Sequence, residues 1–299
     1  PMTGSPAPEE PTDVWAISAL ASPDRVPKHF GEFRDMTMVR VSQFKWEPRK
    51  NAEQIVADML RGTVVRFTRD ECFDLPPTVV HTHEVAMTAE QKKLIDTLRK
   101  EAAAEVAAGL IKGVNEAVVI SKMLQVTSGA VKAINADKVE TIHQVDCAPK
   151  FQALQELMDA TSGPVIVFAD FIGAIARLAQ YAEINKVPYS MVVGDTPGAK
   201  RKAIFDAVQR NEIKMLVAHP KTIAHGVDLT TSNVIAWWNP IYSHEIYEQA
   251  CGRITRATQR RKTLIVHFVC SALEKLVLRK LTKKSRVQGL LLDYLQGEA

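Results

Sequence analysis

The sequence predicts an α/β protein: a parallel sheet with helices on both faces, preceded by a mostly helical region with a few short strands. Three observations carry this. Short apolar runs recur at 165–168, 190–193, 215–218, 234–237 and 264–268. Amphipathic segments separate them, at 149–160, 171–185, 199–210, 243–257 and 272–284. The runs are continuous rather than alternating, which marks strands buried on both faces, and crossover helices provide that burial.

Upstream the pattern differs. Residues 1–12 are rich in Pro, Gly and Ser and read as a loop. Apolar spacing at Val14, Ile17 and Ala21, and later at Ile55 and Met59, predicts short helices within 13–60. Thr, Val and Phe at 63–67 and 78–86, around Leu75-Pro76-Pro77, predict two short strands. Thr88 reads as the N-cap of a long helix ending near Ala108, with Gln91 completing a capping box. Val118 to Gln125 predicts another helix, and 128–138 reads as turns. No internal repeat or low-complexity tract is present.

Bulk properties narrow the function classes. A chain of 299 residues with 46% hydrophobic and 24% charged residues holds one large or two medium domains with a real core. The net charge of +4 suits a nucleic-acid partner without requiring one. The cysteines, Cys72, Cys147, Cys251 and Cys270, have neither metal-ligand spacing nor the density of a disulfide framework. No run of 18 apolar residues or secretory leader appears, so a soluble intracellular protein is expected. His81 and His83 share one face of a predicted strand but lack a third ligand nearby, so no metal site is assigned. Cys147, beside His143 and Asp146, sits in no nucleophile motif. The basic run of Lys280, Lys283, Lys284 and Arg286 reads as a solvated face or a phosphate contact.

Ligands on parallel sheets bind at the carboxyl ends of strands. That places Gly194, His219-Pro220 and Trp238-Asn239-Pro240 on one rim. The richest stretch is 243–259, which carries Gln249, Arg253, Arg256 and Gln259. On a continuous helix, with Gln249 at about 0°, the others fall near about 40°, −20° and −80°, so all four share a face. Ile246, Tyr247, Ala250, Ile254 and Ala257 then face inward. Two adjacent guanidiniums suit a multiply charged oxyanion such as a nucleotide γ-phosphate. The competing reading is a solvated basic face, with Glu245 pairing to Arg253.

No G-x-x-x-x-G-K-[ST] loop and no acidic magnesium box occur in the chain. No G-x-G-x-x-G follows a strand either; 193–198 is broken by Pro197, which argues against a dinucleotide-binding sheet.

With these elements in this order, the chain resembles the C-terminal half of a two-lobed helicase or translocase of the Swi/Snf type, in superfamily two. Gln249 to Gln259 resembles the family's Q-x-x-x-R-x-x-R-x-x-Q, with Ala257-Thr258 where the family has Ile-Gly. Residues 222–229 resemble its G-x-G-L-N-L segment, with His225 for the first glycine and Asp228 for the asparagine. Residues 167–171 match V-F-x-x-F, Trp238-Asn239-Pro240 matches W-N-P, and Thr3-Gly4-Ser5-Pro6 resembles T-G-T-P.

The resemblance implies a RecA-like second lobe at 141–299, a helical linker or protrusion at 21–140, and the end of a first lobe at 1–20. It implies arginine-finger roles for Arg253 and Arg256. It implies contacts to ATP from Gly226, Asp228, Gln249, Arg253, Arg256 and Gln259. Thr3, Phe171, Lys221, Thr222 and Trp238 become candidates for nucleic-acid contact, although Trp238 also reads as plain core. ATP and Mg²⁺ would be held mainly by the first lobe, in the same chain or another. The implied partner is double-stranded DNA, with RNA left open. The chain alone is expected not to turn over ATP. A second reading is a non-catalytic module that binds nucleic acid or protein.

Overall fold

The structure is a computed structural model that describes residues 10–43, 45–62, 74–107, 113–134, 140–223 and 227–282. It divides into two compact units, Pro1–Phe73 and Asp74–Ala299.

In the first unit a 3₁₀ turn at Pro11–Asp13 leads into α1 (Val14–Ala21), α2 (Phe30–Thr37), β1 (Met38–Arg40), β2 (Trp46–Pro48) and α3 (Ala52–Leu60). Val14, Val26 and Phe33 form its core, with Val56, Met59 and Leu60 packed against them. The indole of Trp15 donates to the carbonyl of Pro27 at 3.0 Å. The helices lie where apolar spacing places them. The antiparallel β1–β2 hairpin was not foreseen, and the Arg34 guanidinium sits 3.9 Å from the centre of its Trp46 ring.

The second unit runs β3 (Thr78–Glu84), α4 (Ala89–Ala107), α5 (Gly113–Thr127), β4 (Ala130–Ile134), β5 (Glu140–Gln144), α6 (Ala148–Asp159), β6 (Val165–Phe168), α7 (Ile172–Ile184), β7 (Tyr189–Val192), α8 (Gly198–Gln209), β8 (Met215–Ala218), α9 (Pro220–Ile223), β9 (Val234–Trp237), α10 (His244–Cys251), β10 (Thr263–Val269) and α11 (Ala272–Thr282). Six strands form one sheet in the order β3-β10-β9-β6-β8-β7, and every pairing is parallel. This is the expected doubly covered α/β sheet of RecA-like type. The five apolar runs became β6 to β10 within one residue at each end.

Successive residues of each strand point to opposite faces. Val165, Val167, Met215, Val217, Val234, Ala236 and Trp238 pack with α6 and α7. Ile166, Phe168, Leu216, Ala218, Ile235 and Trp237 pack with α8 and α10. Fully burying one such aliphatic side chain contributes roughly 1.5–3 kcal/mol.

The expected capping box forms: the Thr88 amide donates to Gln91 Oε1 at 3.0 Å, and the Gln91 amide to Thr88 Oγ1 at 3.2 Å. Three expectations need correction. The strand at 78–84 is not a local feature of a helical region but the edge of the main sheet, paired with β10 along its whole length. The stretch 128–138 is not only turns, because β4 pairs antiparallel with β5. Gly129 starts that hairpin at φ +87°, where an added Cβ would lie 2.3 Å from Cys147 Sγ. The helix expected over 243–257 ends at Cys251. The strand expected at 63–67 lies outside the described residues.

Candidate functional site

The chain turns sharply where the arginine helix was expected to continue. Ser243 caps α10 by accepting from the Ile246 amide at 3.3 Å. Beyond Gly252 the bonds tighten to i→i−3: Arg253 N to Ala250 O, 3.1 Å, and Ile254 N to Cys251 O, 3.3 Å. Thr255, at 9% exposed, donates its hydroxyl back to the Cys251 carbonyl. The single helical face drawn from the sequence is therefore broken at Gly252, and the four residues separate in role.

Arg253 and Arg256 stay together. Both are half-buried. Arg253 Nε donates to the Gln249 carbonyl at 3.1 Å. Burial, then the positive charge of Arg256, push the Arg253 guanidinium below its ordinary pKa. Two partly desolvated cations that repel each other favour an anion between them.

Gln249 and Gln259 do other work. Gln249 Nε2 donates to Glu245 Oε1 at 2.8 Å, so Glu245 pairs with Gln249. Gln259 is 2% exposed. Its Nε2 donates to the carbonyls of Thr230, Ser232 and Ile254 at 3.2, 3.0 and 3.0 Å. Its Oε1 accepts from the amides of Arg260 and Arg261 at 3.0 and 2.9 Å. Both ends of the amide are engaged inside the protein, so Gln259 ties loops together and does not face a ligand.

Asp228 lies beside the arginine turn. Its Oδ1 accepts from the Thr230 amide at 2.9 Å and its Oδ2 from the Thr258 hydroxyl at 3.3 Å. Burial opposes its ionisation, but these bonds and the nearby Arg256 charge hold the carboxyl below its usual range. Gly226 and Thr3 lie outside the described residues.

The other candidates gather at the carboxyl ends of the strands. His219 follows β8 and Asp170 follows β6, and His219 Nε2 lies 3.3 Å from Asp170 Oδ1. The Lys221 amide donates to His219 Nδ1 at 3.3 Å, which leaves the ring proton on Nε2, facing the carboxylate. The Asp170 amide in turn donates to Oδ1 of the fully buried Asn239 at 3.2 Å. Burial pushes the Asp170 carboxyl up, against the opposing influence of His219 and Lys221. Lys221 is exposed. Thr222 turns inward, donating its hydroxyl to the His219 carbonyl at 2.6 Å. Phe171 is half-buried, between the apolar clusters of α7 and α4.

Trp238 requires a correction. It is 0% exposed, its indole donates to the Ser128 carbonyl at 2.9 Å, and it packs 4.9 Å from the Phe151 ring. A side chain so placed is core and touches no nucleic acid. Cys147 is likewise buried, and burial pushes its thiol up to about 11, so it is no nucleophile.

The arginine turn and the rim lie toward opposite ends of the strands. The Leu229 amide bonds the Arg253 carbonyl at 3.1 Å, and Ser232 Oγ bonds the Pro164 carbonyl at 2.8 Å, just before β6 begins. Asp170, His219 and Asn239 sit where the strands finish. Sequence reasoning missed the Asp170–His219 pair and the contact of the Thr230 and Thr258 hydroxyls at 3.0 Å. The signal for the first was a carboxylate directly after an uninterrupted apolar strand.

Comparison with known proteins agrees with this architecture. Residues 149–258 match the family of helicase conserved C-terminal domains. The chain is 24% identical over 306 residues to protein p41 of Acyrthosiphon pisum secondary endosymbiont phage 1, covering 98% of this chain and 64% of that protein. It therefore spans less than two thirds of that relative. Among solved structures it is similar to the C-terminal part of the Fun30 ATPase domain, with a TM-score of 0.58 and 15% identity, covering 75% of this chain and 98% of that one. It is also similar to the Sulfolobus solfataricus SWI2/SNF2 ATPase core in complex with dsDNA, with a TM-score of 0.54 and 14% identity, covering 96% of this chain and 60% of that one. No helix among the described residues is long and apolar enough to cross a membrane.

Proposed function

We propose that this chain, which resembles the C-terminal half of a Swi/Snf-type helicase and carries a helicase conserved C-terminal domain at 149–258, works as the second lobe of an ATP-dependent nucleic-acid motor. The observation that carries the proposal is the pair of half-buried guanidiniums, Arg253 and Arg256, beside a carboxylate already engaged by Thr230 and Thr258. That chemistry fits a phosphate chain and offers nothing to Mg²⁺. ATP and Mg²⁺ are held mainly by a first lobe, in the same polypeptide or a partner, and the arginines reach across to it. When bound, the metal neutralises phosphate charge. The part of this chain is to present two cations where negative charge builds on the transferring phosphoryl group.

The rim supports the second half of the reading. Lys221 and the ends of β6, β8 and β7 grip the backbone of double-stranded nucleic acid by its phosphates, which gives little sequence preference. Such binding weakens as salt rises. The end of a first lobe at 1–20 and a linker after it belong to the same proposal, but the second lobe starts earlier than residue 141, because its sheet includes β3 and the compact unit that holds it runs Asp74–Ala299.

The test is ATP hydrolysis with and without duplex DNA, by the chain alone and by the chain combined with a polypeptide that supplies the phosphate loop. The proposal expects no turnover alone and DNA-stimulated turnover in combination. DNA-stimulated hydrolysis by the chain alone contradicts it. DNA binding without hydrolysis in either case favours the non-catalytic module.

A further inference from the structure

The buried face of α10 carries a polar group that the motor reading does not use. Tyr247 is 8% exposed, and its hydroxyl lies 3.1 Å from Nε2 of His267, which is 2% exposed on β10. Trp237, on the neighbouring strand β9, has its ring 5.2 Å from that of Tyr247 and 6.2 Å from that of His267, the latter nearly parallel. Around these three rings the cluster holds the apolar Ile235, Ala250, Ile254 and Ile265, and the Cys251 side chain also bonds the Tyr247 hydroxyl. A helix face packed only on aliphatic groups tolerates small rotations. A buried hydrogen bond penalises them, because breaking it strips a buried imidazole nitrogen of its partner.

The helix is eight residues long and ends four residues after Tyr247. Arg253 follows two residues later, so a rotation of α10 moves the turn that carries the arginines. On the other side the turn is fastened by the Leu229 amide on the Arg253 carbonyl.

Resting on the arginine reading above, we infer that Tyr247 and His267 are positioning residues: their hydrogen bond fixes the rotation of α10, and so the placement of Arg253 and Arg256 toward a polyphosphate. Neither residue touches the anion. The bond persists across neutral pH, because burial keeps the imidazole uncharged there.

The experiment uses the full chain and inorganic tripolyphosphate, following the side-chain Nε–H resonances of the arginines by NMR. Wild type, Arg256→Ala, Tyr247→Phe and Val208→Ala are titrated. Val208 is fully buried in the same apolar cluster but sits on α8, so its truncation matches a loss of stability without touching the Tyr247–His267 bond. The expected result is saturable binding by wild type, loss of binding in Arg256→Ala, and affinity lowered about five-fold in Tyr247→Phe, the scale of one lost hydrogen bond. Val208→Ala binds as wild type. Equal affinity in Tyr247→Phe and wild type overturns the inference and leaves the arginine reading standing. An equal loss in Tyr247→Phe and Val208→Ala also overturns it, since the effect is then global. Binding by wild type that Arg256→Ala does not change, or no binding by wild type at all, overturns both.

Discussion

The backbone amide of Leu229 donates to the carbonyl of Arg253 at 3.1 Å, joining two segments that are 24 residues apart (253 − 229). This bond lies between Asp228, whose carboxylate holds Thr230 and Thr258, and the two guanidiniums that follow α10. The arginine turn is thus shaped by its neighbours and is not a continuation of the helix.

Gln259 is the strongest of those neighbours. Replacing it with leucine leaves three carbonyls and two amides without the partner they have now. Gln259→Leu is expected to lower stability by about 3 kcal/mol or more. Chemical denaturation measures this, and a change under about 0.5 kcal/mol, the scale of an ordinary surface substitution, refutes the view that Gln259 ties these loops together.

Asp228 gives a pH signature. Its carboxyl is held below its usual range in the folded chain. A group with a depressed folded pKa contributes stability that is present above its unfolded value, about 3.9, and lost as pH falls through the folded value. The stability difference between wild type and Asp228→Asn should therefore be constant near neutrality and shrink below about pH 4. A difference that grows as pH falls reverses the assigned sign.

His267 titrates in a different window. Burial lowers its pKa from 6.5 to about 4. The folded state keeps the imidazole neutral while the unfolded chain takes up a proton, so the contribution is intact above about 6.5 and is lost as pH falls toward 4. The loss approaches about 3 kcal/mol. Denaturation curves between those limits should fall more steeply for wild type than for His267→Phe. Parallel curves contradict the burial argument.

Lys150 and Glu274 form an ion pair at 2.7 Å with side chains only 1% and 0% exposed. Lys150 also donates to the Trp238 carbonyl at 3.0 Å, while Glu274 accepts from the amides of Cys270 and Ser271. Burial opposes both charges, yet each partner holds the other ionised. Lys150→Met alone is expected to cost roughly 3–5 kcal/mol, because a buried carboxylate is left uncompensated. The double variant Lys150→Met with Glu274→Leu should recover much of that. A double variant no better than the single one places the cost in packing.

The sheet was legible because its strands are buried on both faces, which writes continuous apolar runs such as 165–168 and 215–218 into the sequence. The edge strand β3 was seen as a strand but not placed in the sheet. Its exposed Val79 and Val80 carry no sign of which strand they pair with. The hairpin at 130–144 was hidden because the chain enters it through Gly129, whose positive φ and fit against Cys147 appear only in three dimensions. At the candidate site, the closeness of the two arginines was legible from residue type and spacing alone. Gln259 was not, because an amide that faces a ligand and one that bridges backbone groups look identical in sequence. Trp238 erred the same way: an indole can stack on a base or fill a core, and only the neighbouring Phe151 and Phe268 decide between them.

The central claim is that Arg253 and Arg256 complete a nucleotide site whose other half lies on a first lobe. The most direct measurement is DNA-stimulated ATP hydrolysis by the chain combined with such a lobe, comparing wild type with Arg256→Ala. The account predicts that the substitution lowers turnover by about 10³-fold, while duplex binding is retained. Turnover equal to wild type contradicts it.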